Sequence, residues 1–414
     1  MSDREIRTIL DGVLNGRELA VDDAVRLCTV NGPELHALMQ TADELRRQQV
    51  GDDVGYVINR NINFTNVCIK GCRFCAFSRT RRSEEGYFLD TDEIVRRAKE
   101  AHDYGATEVC IQGGLAPGQD PDYYVDLVQA VKAAVPALHV HAFSPEEVKF
   151  GAELRGVSIA EFIVELKEAG VDSLPGTAAE VFDDGVRDKI APGRITTAEW
   201  TEVIRAAHAA GVPTTATLMH GHIENDLQRM RHLDYLRRLQ SETGGFTEFV
   251  PLSFVHEEAP MHMRRLLPSL RPGPTANEVT RLYAIARLML GATFRNIQVS
   301  WVKEGVNMAQ AMLSCGANDL GGTLINESIS TSAGARHGQF QSPASLRRII
   351  REAGRVPVER DTRYRTLRRF SGDHVPDEET SLDRVSNPDA TFGSYSRLIE
   401  DNRFRFHLPV ATKG

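Results

Sequence analysis

From about residue 55 onward, short β-branched or apolar runs alternate with longer amphipathic stretches, the rhythm of parallel β/α units. The runs Tyr56 to Asn63, Thr107 to Gln112, Leu138 to Phe143, Asp172 to Leu174, Pro213 to Met219, Phe246 to Leu252, Asn296 to Trp301 and Asn318 to Leu320 read as eight strands. Helical periodicity fills the gaps at Thr91 to Tyr104, Pro121 to Val135, Ile159 to Ala169, Thr197 to Ala210, Leu227 to Thr243, Ala276 to Leu290 and Asn307 to Cys315. Gly105, Gly170, Gly211, Gly244 and Gly291 fall where helices commonly end. Eight strands over about 270 residues predict an α/β fold, a (β/α)8 barrel of the TIM type. A doubly wound open sheet is the alternative, since strand order is not written in a sequence, but no G-x-G-x-x-G follows the first strand.

The flanks differ in pattern. Residues 1–50 read as a helical cap, with Ile6, Ile9, Leu10 and Val13 on one face. The barrel is assigned to 51–340. A helix, Pro343 to Ala353, and a charged, basic extension around Arg360 to Arg369 occupy 341–371. Residues 372–414 form a polar tail, expected to be loosely ordered and flexible because it has too few apolar positions for a core. Within it Phe404, Phe406 and Leu408 could dock one short segment.

Composition narrows the classes. A chain of 414 residues with 41% hydrophobic content can bury one large core. The net charge of −8 argues against a nucleic-acid binder. No stretch approaches the ~20 apolar residues of a membrane span, and the charged N-terminus is unlike a signal peptide. A cytoplasmic protein is expected.

The chemistry enters with three cysteines in an eight-residue window, Cys68, Cys72 and Cys75. A C-x3-C-x2-C loop supplies three thiolates to a [4Fe-4S] cube and leaves one iron open to a ligand. The other cysteines, Cys28, Cys110 and Cys315, are isolated. Zinc competes for the motif, but a structural zinc site wants four ligands and no second pair follows. A disulfide would have to close a very short loop in a chain expected to be reduced. The loop follows strand one, which in a barrel puts it on the C-terminal face where active sites are built.

With Phe74 just before the third Cys, the loop resembles the cluster loop of the radical S-adenosylmethionine enzymes. The resemblance implies that the open iron chelates S-adenosylmethionine, whose one-electron cleavage gives methionine and a 5'-deoxyadenosyl radical. Phe74 is then expected near the adenine. Gln112-Gly113-Gly114-Leu115 resembles the family's glycine turn for the cofactor's amino group, with Leu115 where an acidic residue often stands. Ser144 and Glu180 complete the implied cofactor set; Glu180 taken alone reads equally as a helix N-terminal acid.

Runs at several strand ends, Asn61 to Val67, His139 to Pro145, Pro175 to Glu180, Gly244 to Pro251 and Gly316 to Thr323, are similar to the 5-amino-6-(D-ribitylamino)uracil:L-tyrosine 4-hydroxyphenyl transferases. These form the second subunit of FO synthase in coenzyme F420 biosynthesis. The similarity implies a transferase that takes L-tyrosine and 5-amino-6-(D-ribitylamino)uracil. It releases 2-iminoacetate, methionine and 5'-deoxyadenosine, and forms 5-amino-5-(4-hydroxybenzyl)-6-(D-ribitylimino)-5,6-dihydrouracil. It also implies FO synthase subunit 1 as functional partner and a one-electron reductant protein.

Polar residues at strand ends are the candidate substrate contacts: His141, which shares a strand face with His139, then His220 and His222 after strand five, Glu248 in strand six, and Asn318 and Asp319 at strand eight. Arg264, Arg265 and Arg271 read as a solvated loop. Two other functions stay open. One is a radical enzyme of futalosine-route menaquinone biosynthesis, which carries Gly-Gly-Gly-Ala-Glu where this chain has Gly176-Thr177-Ala178-Ala179-Glu180. The other is a non-catalytic iron-sulfur electron carrier, which would want a fourth thiolate.

Overall fold

The computed structural model describes residues 4–372 and 380–408. Strand one is a bent run, Asp53–Val57 continued by Asn59–Asn63. Next come Glu108–Gln112, His139–His141, a short segment at Ser173 and Leu174, Thr214–His220, Phe246–Ser253, a second short segment at Ile297 and Gln298, and Asp319–Gly322. Parallel neighbours run Asn59 to Glu108, Glu108 to His139, His141 to Ser173, Leu174 to Thr214, Ala216 to Phe249, Phe249 to Ile297 and Gln298 to Asp319. Asp319 then pairs with Gly55 of strand one. The return to the first strand closes the sheet as a barrel and removes the open-sheet alternative.

Strand four is short because Pro175 has no N–H to extend the ladder. Strand seven ends earlier than its apolar pattern predicts: Trp301 starts a helical turn, Trp301–Glu304, and its indole N–H donates to Gly322 O at 2.9 Å.

The outer helices follow the sequence pattern within a few residues, for example Ile159–Ala169, which buries Phe162, Ile163 and Leu166. Each such side chain contributes about 1.5–3 kcal/mol. Ser158 caps that helix by accepting from Glu161 N, and Gly170 ends it at φ 113°, a backbone that disfavours a side chain. Gly291 departs from the expected pattern, staying helical at φ −52°. The helix Pro145–Arg155 is not signalled by periodicity, because it buries Glu146 and Glu147 beside Val148 and Ala152.

At the N-terminus Arg4–Leu14, Val21–Leu27 and Gly32–Val50 are helices, with Ile6, Ile9, Leu10 and Val13 buried as their spacing predicts. Gly32–Val50 packs on Ala276–Leu290, where Arg287 Nη1 donates to Gln49 Oε1 at 2.9 Å.

After the helix Pro343–Glu352, the charged extension is a β-hairpin, Val356–Arg360 with Thr366–Arg369. Its first strand lies parallel to Asp53–Val57 under the barrel. The tail differs from a loose one over 380–408. Helices Pro388–Phe392 and Tyr395–Glu400 and two single turns bury Leu382, Phe392, Tyr395, Leu398 and Phe404. Phe404 O accepts from Phe88 N at 2.7 Å and Phe406 N donates to Gly86 O at 2.9 Å, whereas Leu408 stays exposed. A few well-spaced aromatics suffice because the barrel supplies the core they dock on. The remaining tail, 373–379 and 409–414, lies outside the described residues. Among the described residues no helix is long and apolar enough to cross a membrane.

Candidate active site

The C-terminal ends of the strands open on a cavity of about 410 Å³ that descends through the barrel. Cys68, Cys72 and Cys75 line its mouth. Their loop is tied to four other segments. Cys68 N donates to Arg79 O at 3.0 Å, Ile69 N to Leu115 O at 2.9 Å and Arg73 N to Ile190 O at 2.7 Å, while Arg73 O accepts from Met261 N at 2.7 Å. Burial pushes the Cys72 thiol up to about 12, against the pull of Arg194, and raises Cys75. Such thiols ionise only against a bound cation.

The glycine turn packs directly on this loop. A Cβ on Gly114 would stand 2.3 Å from Val67 O, and one on Gly113 would meet the Phe64 ring at 2.6 Å. Gly114 N donates to Thr65 O at 2.8 Å, and Gly113 N to Glu147 Oε1 at 2.9 Å. Thus the carboxylate at this turn comes from the helix after strand three, not from the residue following the glycines. Burial raises Glu147 to about 7 despite hydrogen bonds from Ser144 and Gly113. Ser144 lines the cavity but its hydroxyl is spent on the capping box, 2.5 Å from Glu147 Oε2.

Arg194 gathers the mouth. It donates to Glu180 Oε1 at 2.9 Å, lies 3.4 Å from Glu146 Oε2, approaches Cys72 Sγ at 3.6 Å and covers the Phe74 ring at 5.4 Å. Lys70 pairs with Glu146 at 3.1 Å. Neither Arg194 nor Glu146 is signalled by the sequence, since both lie between recognisable motifs.

Deeper in the barrel, His141 Nδ1 and His139 Nε2 share the Ser173 hydroxyl at 2.6 and 2.7 Å. Burial lowers His141 to about 4, so its ring is neutral near pH 7. At the floor, Arg360 of the C-terminal hairpin holds Asp319 through both carboxylate oxygens, at 2.5 and 2.8 Å, and lies 3.6 Å from Glu248. Tyr364 donates to Glu248 and stacks under Arg360, and Thr362 donates to Glu108 at 2.6 Å. Burial raises both Glu248 and Asp319, with Arg360 opposing.

The candidate residues therefore divide. Cys68, Cys72, Phe74, Cys75, Gly113, Gly114, His141, Ser144, Glu180 and Glu248 line one cavity. Asn318, Asp319, His220 and His222 stand outside its wall. Asn318 Oδ1 accepts from Arg287 at 2.8 Å and from Ile297 N at 2.9 Å, which ties strand eight to the outer helices. His222 is packed with Glu224, whose carboxylate takes the N–H groups of Gly221 and His222 and Arg229 at 2.6 Å. His220 is buried with Ser253 Oγ 3.4 Å away. Strand-end position alone does not distinguish these from cavity residues, because adjacent positions point opposite ways.

Sequence comparison agrees with this geometry. Residues 62–236 match the model of the Radical SAM superfamily and residues 243–371 that of the CofH/MqnC C-terminal region. The chain is 48% identical over 346 residues to the 5-amino-6-(D-ribitylamino)uracil–L-tyrosine 4-hydroxyphenyl transferase of Methanothermobacter thermautotrophicus, covering 84% of this chain and 94% of that one. The chain belongs to the 5-amino-6-(D-ribitylamino)uracil–L-tyrosine 4-hydroxyphenyl transferase family. The family's protein from Methanocaldococcus jannaschii is also 48% identical, over 85% of this chain and 98% of that one. The FO synthase of Mycobacterium leprae is 48% identical over 83% of this chain, which spans only 39% of that protein. In fold, methylornithine synthase superposes with a TM-score of 0.67 at 20% identity, over 85% of this chain and 97% of that one.

Membership of the Radical SAM superfamily implies a [4Fe-4S] cluster and S-adenosylmethionine. The donor set fits. Among the described residues no three His, Cys, Asp or Glu side chains close on a single ion, the arrangement a lone zinc needs. Three soft thiols on one loop beside an open cavity suit a larger cube with a free corner.

Proposed function

We propose that this protein cleaves the Cα–Cβ bond of L-tyrosine and transfers the 4-hydroxybenzyl group to C5 of 5-amino-6-(D-ribitylamino)uracil. The single observation that carries the reading is the 48% identity to transferases of that name along nearly their whole length. The cavity supports it, since the thiol loop, the glycine turn and the polar residues His141, Glu180 and Glu248 open on one space.

Cys68, Cys72 and Cys75 would hold the cluster, and Gly113, Gly114, Glu180 and Phe74 would bound the cofactor. Bound there, S-adenosylmethionine and the cluster supply a hydrogen-atom abstractor in exchange for one electron. In the net reaction one hydrogen atom of tyrosine would end on 5'-deoxyadenosine and the glycine remnant would leave as 2-iminoacetate. The new C–C bond forms at the uracil, which then gives up one electron and one proton, so the electron that began the cycle is returned. Around these events the chain's own groups do limited work. Neutral His141 can donate or accept a hydrogen bond without adding charge, Glu147 near its titration point can take or release a proton, and the hairpin floor keeps water from entering below. FO synthase subunit 1 would cyclise the product, and a one-electron reductant protein would serve the cluster. A reducing cytoplasm suits the thiols.

The test is anaerobic incubation of the iron-reconstituted protein with S-adenosylmethionine, reductant and both substrates, followed by mass spectrometry. The expected result is 5'-deoxyadenosine together with the hydroxybenzyl-uracil adduct. 5'-Deoxyadenosine without adduct would refute the substrate assignment and direct attention to futalosine-route substrates.

A further inference from the structure

Four cations line the barrel cavity: Lys70, Arg194, Lys303 and Arg360. Three are neutralised. Lys70 pairs with Glu146 at 3.1 Å, Arg194 with Glu180 at 2.9 Å, and Arg360 with Asp319 at 2.5 Å. Lys303 differs: among the described residues its ammonium has no hydrogen-bond acceptor and no carboxylate within ion-pair distance. The acidic groups whose field it feels are Glu327, Glu304, Glu180 and the Cys75 thiol, and each of the carboxylates is bonded elsewhere. Glu327 accepts from Ser330 N at 2.9 Å, Glu304 from the Ser253 hydroxyl at 2.6 Å, and Glu180 from Arg194.

Its position is fixed. Lys303 sits in the turn Trp301–Glu304 after strand seven, pinned by the Trp301 indole, and followed by Gly305 at φ 79°. It lines both the barrel cavity and an outer groove of about 570 Å³ that includes His256, Arg336 and His337. A half-buried ammonium without a partner has lost hydration and regained nothing, which is unfavourable until an anion arrives.

We propose that Lys303 is the anchor for the α-carboxylate of the amino-acid substrate, which it holds by an ion pair inside the barrel. The inference rests on the transferase reading and adds a substrate contact to it. The ligand class follows from charge. A phenol, a ribityl chain and an uncharged uracil ring offer no full negative charge near pH 7, whereas a carboxylate does and accepts short charge-assisted hydrogen bonds. In the family the carboxylate of S-adenosylmethionine is taken by the open iron, which leaves that of tyrosine. Breaking the Cα–Cβ bond leaves this carboxylate on the glycine remnant, so Lys303 binds substrate and remnant alike. Its loss therefore acts on KM more than on kcat.

The experiment is calorimetric titration of the iron-reconstituted protein, saturated with S-adenosylmethionine and without reductant, with L-tyrosine and with tyramine, which lacks the carboxylate. Wild type is expected to prefer L-tyrosine. Lys303→Met is expected to weaken L-tyrosine by about 10- to 100-fold, leave tyramine unchanged and erase the preference, with Lys303→Arg restoring part of it. Affinity for S-adenosylmethionine and the thermal midpoint should not fall in either variant. Undiminished binding of L-tyrosine by Lys303→Met overturns the inference alone, as does equal loss of tyramine or loss of S-adenosylmethionine instead. Failure of the wild type to bind L-tyrosine refutes the substrate reading itself.

Discussion

The two ends of the barrel use charge in opposite ways. At the mouth, Lys70 and Arg194 share Glu146 and Glu180 around the three thiols, of which Cys72 and Cys75 are raised by burial and await a cation. At the floor, Arg360, Asp319, Glu248, Tyr364 and Thr362 satisfy one another completely enough to close the hole. A buried ionic group can thus be a stopper or a receptor. The difference lies in whether its partners come from the protein.

The sharpest break of this comparison is Cys72→Ala. Iron content and visible absorption of the reconstituted protein should fall and 5'-deoxyadenosine formation should drop to background, while circular dichroism stays unchanged. At the floor the reverse is expected. Arg360→Met leaves Asp319 and Glu248 buried without a cation and should cost about 3–5 kcal/mol in denaturant unfolding, with part of the loss recovered by adding Asp319→Asn. Gly114→Ala probes the seam between turn and cluster loop. Its Cβ meets Val67 backbone that cannot swing aside, so a loss of about 1–3 kcal/mol should accompany poorer iron retention. The smallest effect concerns His141, between the two ends. Burial depresses it to about 4, below its unfolded value, so the unfolded chain binds the extra proton. Stability should fall as pH drops from about 6.5 toward 4, by at most about 2 kcal/mol at pH 5, and His141→Asn should flatten that part of the profile.

The strands, outer helices and cysteine loop were legible because their signals are local: alternation, periodicity and spacing. The floor was not. Arg360 and Glu359 make the Val356–Arg360 run look like a solvated extension, although Val356 and Val358 alternate as a strand should. Only the parallel pairing with Asp53–Val57, some 300 residues earlier, reveals that the arginine points inward. Asp319, which stands outside the cavity wall, reads as a substrate contact for the same reason, since a strand-end carboxylate reads alike whether its cation is a ligand or a distant arginine. His222 and Asn318 were absorbed by Glu224 and Arg287, partners that no spacing rule connects. Lys303 carries no signal in the sequence, where a lone lysine after an apolar run is ordinary; its lack of a partner is visible only in three dimensions.

The hairpin at Val356–Arg369 also sets a timetable. About 285 residues of chain separate Cys75 from Arg360, and at typical synthesis rates of about 5–20 residues per second the ribosome needs roughly 15–60 s to cross that span. The three thiols emerge that much earlier than the arginine that completes the base of the barrel. The nascent protein therefore passes through an interval in which its most oxidisable atoms are already made while the hairpin that completes the barrel's base is still to come.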